Sequence, residues 1–211
     1  MLGELIVFEG IEGSGKSTQA ELLLQHVHGG DVPVSFAREP GGTLLGERVR
    51  DILLDAGGPR ISPRAELFLY LAARAQLVRE FVAPKLENGE RVILDRYVHS
   101  TIAYQGYGLR VNLVGLDHAE NVEAVTELCR RGVGEFWPDI VFLLDLPVEK
   151  GLERLKGSPD RIEKRDRAFH ERVREGYLAL AEAEQDVFRV IDATRPVEAI
   201  AERVRAELEL T

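Results

Sequence analysis

Gly10-Ile11-Glu12-Gly13-Ser14-Gly15-Lys16-Ser17 fits the spacing G-x-x-x-x-G-K-[ST], which wraps backbone around a phosphate. Glycines adopt backbone angles that other residues resist, so the chain can close on an anion. Successive N–H groups then point into one concavity. Lys16 brings positive charge to the outer phosphates, and the Ser17 hydroxyl is a Mg²⁺ ligand by type and position. Thr18 follows at the start of a helix whose N-terminal dipole faces the same anion. At roughly 7% glycine, four fixed positions match by chance in about one chain in a hundred of this length. The context narrows that. Leu5-Ile6-Val7-Phe8 reads as a buried strand entering the loop, and Gln19 to Gln25 reads as a helix leaving it.

Four further stretches carry charge, two of them where an apolar pattern makes charge expensive. Val92-Ile93-Leu94 runs into Asp95-Arg96-Tyr97. Opposite charges at the end of a buried strand need a use or each other. Asp95 suits holding Mg²⁺ or accepting a proton, and Arg96 suits a phosphate fork; a structural Asp–Arg pair is the alternative. Arg38-Glu39-Pro40-Gly41-Gly42-Thr43 makes a tight loop with Thr43 as a helix cap, and alone reads as a turn with a solvent-facing ion pair. Ser62-Pro63 opens a long helix on which Leu67, Tyr70, Leu71, Arg74, Leu77 and Val78 share one face. Arg74 there requires a polar partner. Tyr70 lies one turn earlier, as a core residue or facing a ligand. From Glu149 to Arg174 the chain is densely charged and is interrupted by Gly157-Ser158-Pro159. Such a stretch is a solvated face or a mobile lid that carries arginines over a triphosphate. Position 13 is glycine, so the phosphate loop has no arginine of its own.

These residues need a scaffold. Apolar runs at Leu5–Phe8, Val34–Phe36, Val92–Leu94, Ile140–Leu144 and Phe188–Ile191 alternate with helical patterns, which predicts β-α units around a five-stranded parallel sheet. Ligands in such sheets sit beyond the carboxyl ends of the strands. Four of those ends are polar: Glu9, Arg38 with Glu39, Asp95 with Arg96, and Asp145. Residues 109–137 read as helix with loops. Leu116, Ala119, Val122, Val125 and Leu128 form a stripe that packs on the domain or on a second subunit. His99, His118 and His170 lack metal-ligand spacing.

The 211 residues suit one large domain or a domain with a lid. The net charge of −9 excludes the basic footprint of a nucleic-acid binder. Of the 27 basic residues 22 are arginine, which fits either coding bias or selection for phosphate forks. No apolar run reaches the roughly 20 residues of a membrane span. Met1-Leu2-Gly3-Glu4 leads straight into the first strand, so no secretory leader is expected. The single cysteine, Cys129, reads as a half-buried helix residue and suits a reducing cytoplasm.

Taken together, Phe8 to Thr18, Arg38 to Thr43, Tyr70 with Arg74, Asp95-Arg96-Tyr97 through Ala103-Tyr104-Gln105-Gly106, and Asp160-Arg161-Ile162-Glu163 resemble the bacterial thymidylate kinases. The resemblance spans essentially the whole chain. It implies an α/β fold of the P-loop NTPase type, three-layered, with a five-stranded parallel sheet flanked by helices. Residues 1–211 would form one nucleoside monophosphate kinase domain with a helical lid at about 150–167. It implies a cytoplasmic homodimer, binding neither nucleic acid nor membrane, that transfers the γ-phosphoryl of ATP to dTMP with Mg²⁺.

By position, Gly10, Ile11, Glu12, Gly13, Ser14, Gly15, Lys16, Ser17 and Thr18 would hold ATP, with Ser17 and Asp95 at the metal. Glu12 would lie near the sugar 3′-hydroxyl. Arg38 and Arg96 would hold the dTMP phosphate. Tyr70 would stack on thymine, and Arg74 would bind its edge. Ser100, Thr101 and Gln105 would lie near the base, and Tyr104 against the sugar 2′ position. The implied catalytic set is Lys16, Arg96, Asp95, Arg161 and Glu12. Arg161, then Arg154, then Lys156 are the lid candidates for the ATP phosphates.

Two departures stand out: Tyr70 replaces the family's usual phenylalanine, and the lid is short. Another monophosphate kinase, or a P-loop switch with little turnover, are the competing readings. Tyr70, Arg74 and Tyr104 favour thymine and deoxyribose. A second phosphate clamp at Arg38 and Arg96 disfavours a switch.

Overall fold

The computed structural model describes residues 3–113 and 115–209. Strands β1 (Leu5–Glu9), β2 (Val34–Arg38), β3 (Arg91–Asp95), β4 (Ile140–Asp145) and β5 (Phe188–Asp192) form one sheet in the order β2-β3-β1-β4-β5. Every pairing is parallel, with Phe8 opposite Asp95 on one side of β1 and opposite Phe142 on the other. β1, β3 and β4 occupy the middle and are covered on both faces. That is why they are continuous apolar runs rather than alternating ones.

Helices fill the crossovers. α1 (Lys16–Val27) follows the phosphate loop, and α2 (Leu44–Leu54) starts at Thr43, whose hydroxyl accepts from Gly46 N–H. α3 (Pro63–Leu77) is capped by Ser62, with Pro63 at its first position. It runs on through a π-helical stretch, Val78–Val82, into α4 (Ala83–Glu87). α5 (Val98–Thr101) likewise continues as a π-helical stretch, Ile102–Gly108, a geometry enriched at functional sites. α6 (His118–Val133) follows, then α7 (Val148–Arg154), α8 (Arg167–Ala183) and α9 (Val197–Glu209).

β1 lies where the strand order reverses, with β3 on one side and β4 on the other, so a crevice opens above its carboxyl end. The main core packs the sheet between helices. A smaller cluster of Val49, Leu53 and Ala73 joins α2 to α3.

Three expectations shift. The segment between α7 and α8 is a loop of turns, not a helical lid. Gly157 sits at φ 90°, and Asp160 Oδ1 accepts the N–H groups of Ile162 and Glu163. That side chain competes with helix for its own backbone. α6 buries Asn121, Val125, Cys129 and Val133, and Ala119 is exposed, so the packed face is rotated from the expected stripe. Cys129 is fully buried rather than half-buried.

Candidate active site

The phosphate loop joins β1 to α1 with Gly10, Gly13 and Gly15 all at positive φ. Lys16 folds back over it. Its Nζ donates to Ile11 O at 2.8 Å and to Ser14 Oγ at 3.2 Å. Burial, aided by the nearby Arg96 charge, lowers the Lys16 amine to about 8, against the pull of Asp95, Glu12 and Glu9. Ser17 Oγ donates to Asp95 Oδ2 at 2.5 Å, while Asp95 Oδ1 has no protein partner. The two residues matched to the metal thus lie together beside the loop.

Position 13 is glycine for a packing reason. A Cβ there would lie 2.1 Å from Gly151 O, and a Cβ on Gly151 would lie 2.5 Å from Glu12 O. The paired glycines let α7 touch the loop backbone to backbone. Arg154, one turn beyond Gly151, then donates to Gly13 O at 3.4 Å and to Ala193 O at 3.0 Å.

Arg96 holds φ 72°, a left-handed conformation that a non-glycine residue keeps only where its surroundings enforce it. Its backbone N–H donates to Phe8 O at 3.0 Å. Its guanidinium donates to Gly10 O at 3.0 Å, Ser100 Oγ at 3.2 Å, Tyr177 OH at 3.3 Å and Glu12 Oε1 at 3.1 Å. The same group lies 5.1 Å from the centre of the Tyr104 ring.

What fixes this loop is Glu9. It is fully buried and accepts from Tyr97 N–H at 2.8 Å, Ser100 N–H at 3.0 Å, Ser100 Oγ at 2.6 Å and Tyr177 OH at 2.7 Å. The α5 N-cap residue offers no side-chain cap, so a carboxylate from the end of β1 does that work. Sequence reading marked Glu9 as a polar strand end but gave it no role. A carboxylate directly after a buried run was the available signal. Tyr177, 168 residues away from Glu9, had none.

Glu12 accepts from the Tyr104 hydroxyl and from Arg96 on the same oxygen. Burial raises its carboxyl, but His170, Arg96, Lys16 and Tyr104 outweigh that and hold it at about 2. It is therefore a carboxylate at any physiological pH.

A cleft of roughly 290 Å³ unites these groups. Lys16, Ser17 and Asp95 line it together with Arg38, Tyr70, Arg96, Ser100, Thr101, Tyr104 and Gln105. Arg50 and Glu39, for which the sequence suggested no ligand role, line it too. The loop after α7 closes one side with Leu155, Asp160, Ile162 and Glu163.

Two expected residues stand elsewhere. Arg74 is buried behind Glu39 and Thr101, donating to Glu39 Oε2 at 2.8 Å, Thr101 Oγ1 at 2.7 Å and Tyr97 O at 2.9 Å. The partner that its apolar stripe demanded is therefore Glu39. Burial pushes the Glu39 carboxyl up, and Arg74 pulls it back. Arg161, ranked first for the ATP phosphates, instead donates from Nε to Leu53 O at 2.8 Å and from NH2 to Ile52 O at 3.3 Å. It caps the carbonyl end of α2, where a cation is favoured. Arg154, ranked second, is the arginine at the phosphate loop. Lys156 is exposed.

Arg165 also moors the loop, donating to the buried Glu66 at 2.8 Å; Glu66 in turn accepts from Gln105 at 3.1 Å. Between these moorings and α7, residues 156–159 are exposed. Proteolysis between Leu155 and Arg167 is expected to be fast in the ligand-free protein and slowed by an ATP–dTMP bisubstrate analogue. Equal cleavage in both states would establish a fixed surface loop.

Asp145, the remaining polar strand end, pairs with Arg174 at 2.7 and 2.8 Å. Among the described residues no group of three or more His, Cys, Asp or Glu side chains could hold a metal by itself.

Known proteins resemble this chain in sequence and fold. The thymidylate kinase family model matches residues 8–204. The thymidylate kinase of Roseiflexus sp. (strain RS-1) is 43% identical, over 97% of this chain and 92% of its own. That of Chlamydia caviae is 45% identical, over 92% of this chain and 91% of its own. The crystal structure of thymidylate kinase from Ehrlichia chaffeensis superposes with a TM-score of 0.75 at 32% identity, covering 99% of both chains. The family model spans nearly the whole chain and the relatives match it at 43–45% identity, so the chain belongs to the thymidylate kinase family.

Proposed function

We propose that this protein transfers the γ-phosphoryl of ATP to dTMP, giving dTDP, a step in dTTP synthesis. The observation that carries this reading is one cleft lined by more cations than a single nucleotide site requires: Lys16 with the phosphate loop, and Arg38 with Arg96. A nucleotide switch needs the first clamp only. A kinase that joins two phosphorylated substrates needs both.

Phosphoryl transfer asks a protein chiefly to align the partners and to offset charge on the moving group. The phosphate loop N–H groups and Lys16 hold the donor. Arg96, fixed from four sides, holds the acceptor phosphate in line with it. That phosphate is already a nucleophile, so no strong base is required. The Tyr70 ring offers thymine a stacking wall, and Ser100, Thr101 and Gln105 offer polar contacts along the base. The loop after α7 excludes water from the closed cleft and so limits ATP hydrolysis.

Ser17 and Asp95 fit a Mg²⁺ ion, because a hydroxyl and a carboxylate with an unpartnered oxygen lie side by side at the loop. Two protein ligands suffice, since Mg²⁺ takes the rest of its shell from phosphates and water. When bound, the ion neutralises charge on the β- and γ-oxygens.

The whole chain acts as one domain, with 150–167 as its lid, in the cytoplasm and without nucleic acid or membrane as partner. No helix among the described residues is long and apolar enough to cross a membrane. A second copy of the chain covers the face of α2 and α3, where Leu44, Leu45, Ile52 and Phe68 stand exposed. Apolar side chains grouped on one face mark an interaction surface.

The test is incubation with ATP, Mg²⁺ and a panel of monophosphates. Rapid conversion of dTMP over CMP, GMP and AMP is expected. Preference for another base would move the reading to a different monophosphate kinase, and no transfer to any acceptor would leave a nucleotide switch.

Tyr104 supports deoxyribose. Its hydroxyl is tied to Glu12, and its ring is held edge-on by Phe169 and Tyr177 at 6.0 and 6.1 Å. A ring so fixed cannot yield to a 2′-hydroxyl. A pocket that merely tolerates an added hydroxyl discriminates only about a hundredfold. Wild type is expected to exceed that ratio between dTMP and its ribose counterpart, and Tyr104→Ala to fall to it or below. An unchanged ratio of kcat/KM values would remove Tyr104 from sugar selection.

A further inference from the structure

Glu12 divides its two oxygens. Oε1 accepts from the Tyr104 hydroxyl and from Arg96. Oε2 has neither, and faces His170 Nδ1 at 3.3 Å. His170 lies in the first turn of α8, four residues past its N-cap Asp166 and directly after the lid loop. It is 1% exposed. Helix α8 packs closely against the Ile102–Gly108 stretch, because a Cβ on Gly108 would overlap Phe169 and Val173 and a Cβ on Gly176 would overlap Tyr107. This packing buries the imidazole and turns it toward the phosphate loop.

Neither ring nitrogen of His170 makes a hydrogen bond to the protein, and neither does Glu12 Oε2; the 3.3 Å approach of Nδ1 to Oε2 is the polar contact each of these two atoms has. Two of these three buried atoms, Nδ1 and Oε2, therefore face each other. Buried polar groups are held only where they are paired.

We propose that His170 is a positioning residue: its Nδ1–H donates to Glu12 Oε2 and holds that carboxylate in place against Arg96 and Tyr104. The chemistry fixes the tautomer. Facing an anion, Nδ1 must carry a proton. A buried Nε2 without a partner is better left as a bare lone pair than as an unsatisfied N–H. The inference rests on the reading of Glu12 as the carboxylate beside the acceptor sugar. It adds a link between that carboxylate and the helix in which the lid ends. Lid and acceptor site thus share one hydrogen bond, and displacing α8 releases one oxygen of Glu12.

Two measurements test it. In the ligand-free wild type, the ¹H–¹⁵N spectrum of the imidazoles should show the His170 proton on Nδ1, with His170→Asn identifying the signal. A bare Nδ1 overturns the proposal, and this readout needs no turnover and no variant activity. The second compares substitutions that imitate one nitrogen each. Asparagine places an amide where Nδ1 stood, and glutamine where Nε2 stood. His170→Asn should stay within about threefold of wild type, whereas His170→Gln should lose about tenfold in kcat/KM for dTMP with the KM for ATP unchanged. Equal losses in both variants, or a matching loss for ATP, overturn the positioning role. If wild type itself fails to phosphorylate dTMP, the functional reading fails while the tautomer result stands.

Discussion

Lys16→Met is expected to abolish phosphoryl transfer in a protein that is at least as stable as wild type. The loss follows from placement. Among the described residues Lys16 is the one lysine lining the cleft, held over the phosphate loop by Ile11 O and Ser14 Oγ, and is proposed to meet the donor phosphates. Removing one preorganised charge from a transition state typically costs about 3–4 kcal/mol, or 10²–10³ in rate.

The stability follows from burial. The amine is depressed from 10.5 to about 8, so the folded, ligand-free protein holds this charge less readily than the unfolded chain does. At pH 7 both states are protonated, and the buried charge opposes folding by on the order of 3 kcal/mol. Methionine removes that opposition and loses the two Nζ hydrogen bonds, which returns part of it. Between pH 8 and 10.5 the unfolded chain keeps a proton that the folded state has shed, so wild-type stability gains with pH in that window. The variant should lack this gain. Thermal melts of both proteins at pH 7 and pH 10, beside single-turnover assays, read each part. Near-normal turnover in a folded variant would reject the phosphate-loop reading. A large fall in Tm would reject the stability argument.

Arg96→Lys should impair the acceptor side far more than the donor side. Lysine preserves the charge but not the planar fork. The guanidinium meets four acceptors drawn from the phosphate loop, α5 and α8: Gly10 O, Glu12 Oε1, Ser100 Oγ and Tyr177 OH. An ammonium cannot reach across this spread and still present donors to a phosphate. Glu12 Oε1 would also lose a charge-assisted hydrogen bond inside a buried site. We expect kcat/KM for dTMP to fall by about 10²–10³ and the KM for ATP to change by no more than about threefold. An equal loss of ATP affinity would move Arg96 to the donor end of the cleft.

The candidate site residues were legible where chemistry imposes short-range pattern. A phosphate loop needs its glycines, lysine and serine at fixed spacing between a strand and a helix, and β1 and α1 are found there. Charge at the end of a buried strand is too costly to be idle, which marked Asp95 and Arg96; the Arg38 turn was marked only by the family resemblance. Apolar runs between helical patterns announced the strands, continuous in β1, β3 and β4 where both faces are covered, and all five were found where expected.

The rest depended on which distant segments meet. Glu9 receives Ser100 from 91 positions away and Tyr177 from 168, and no local pattern encodes such a pairing. His170 looked like a histidine without metal spacing until α8 folded it onto Glu12. Arg161 and Arg154 were equivalent as charges within one basic stretch. What separates them is that Gly151 lets α7 touch the phosphate loop and carries Arg154 there, while Arg161 lies in the loop beyond α7, where Asp160 turns the backbone and Arg161 meets the end of α2. Periodicity and composition report how each segment meets solvent or core. The partner of a buried polar group is chosen by packing between segments, and that choice was made only in the tertiary structure.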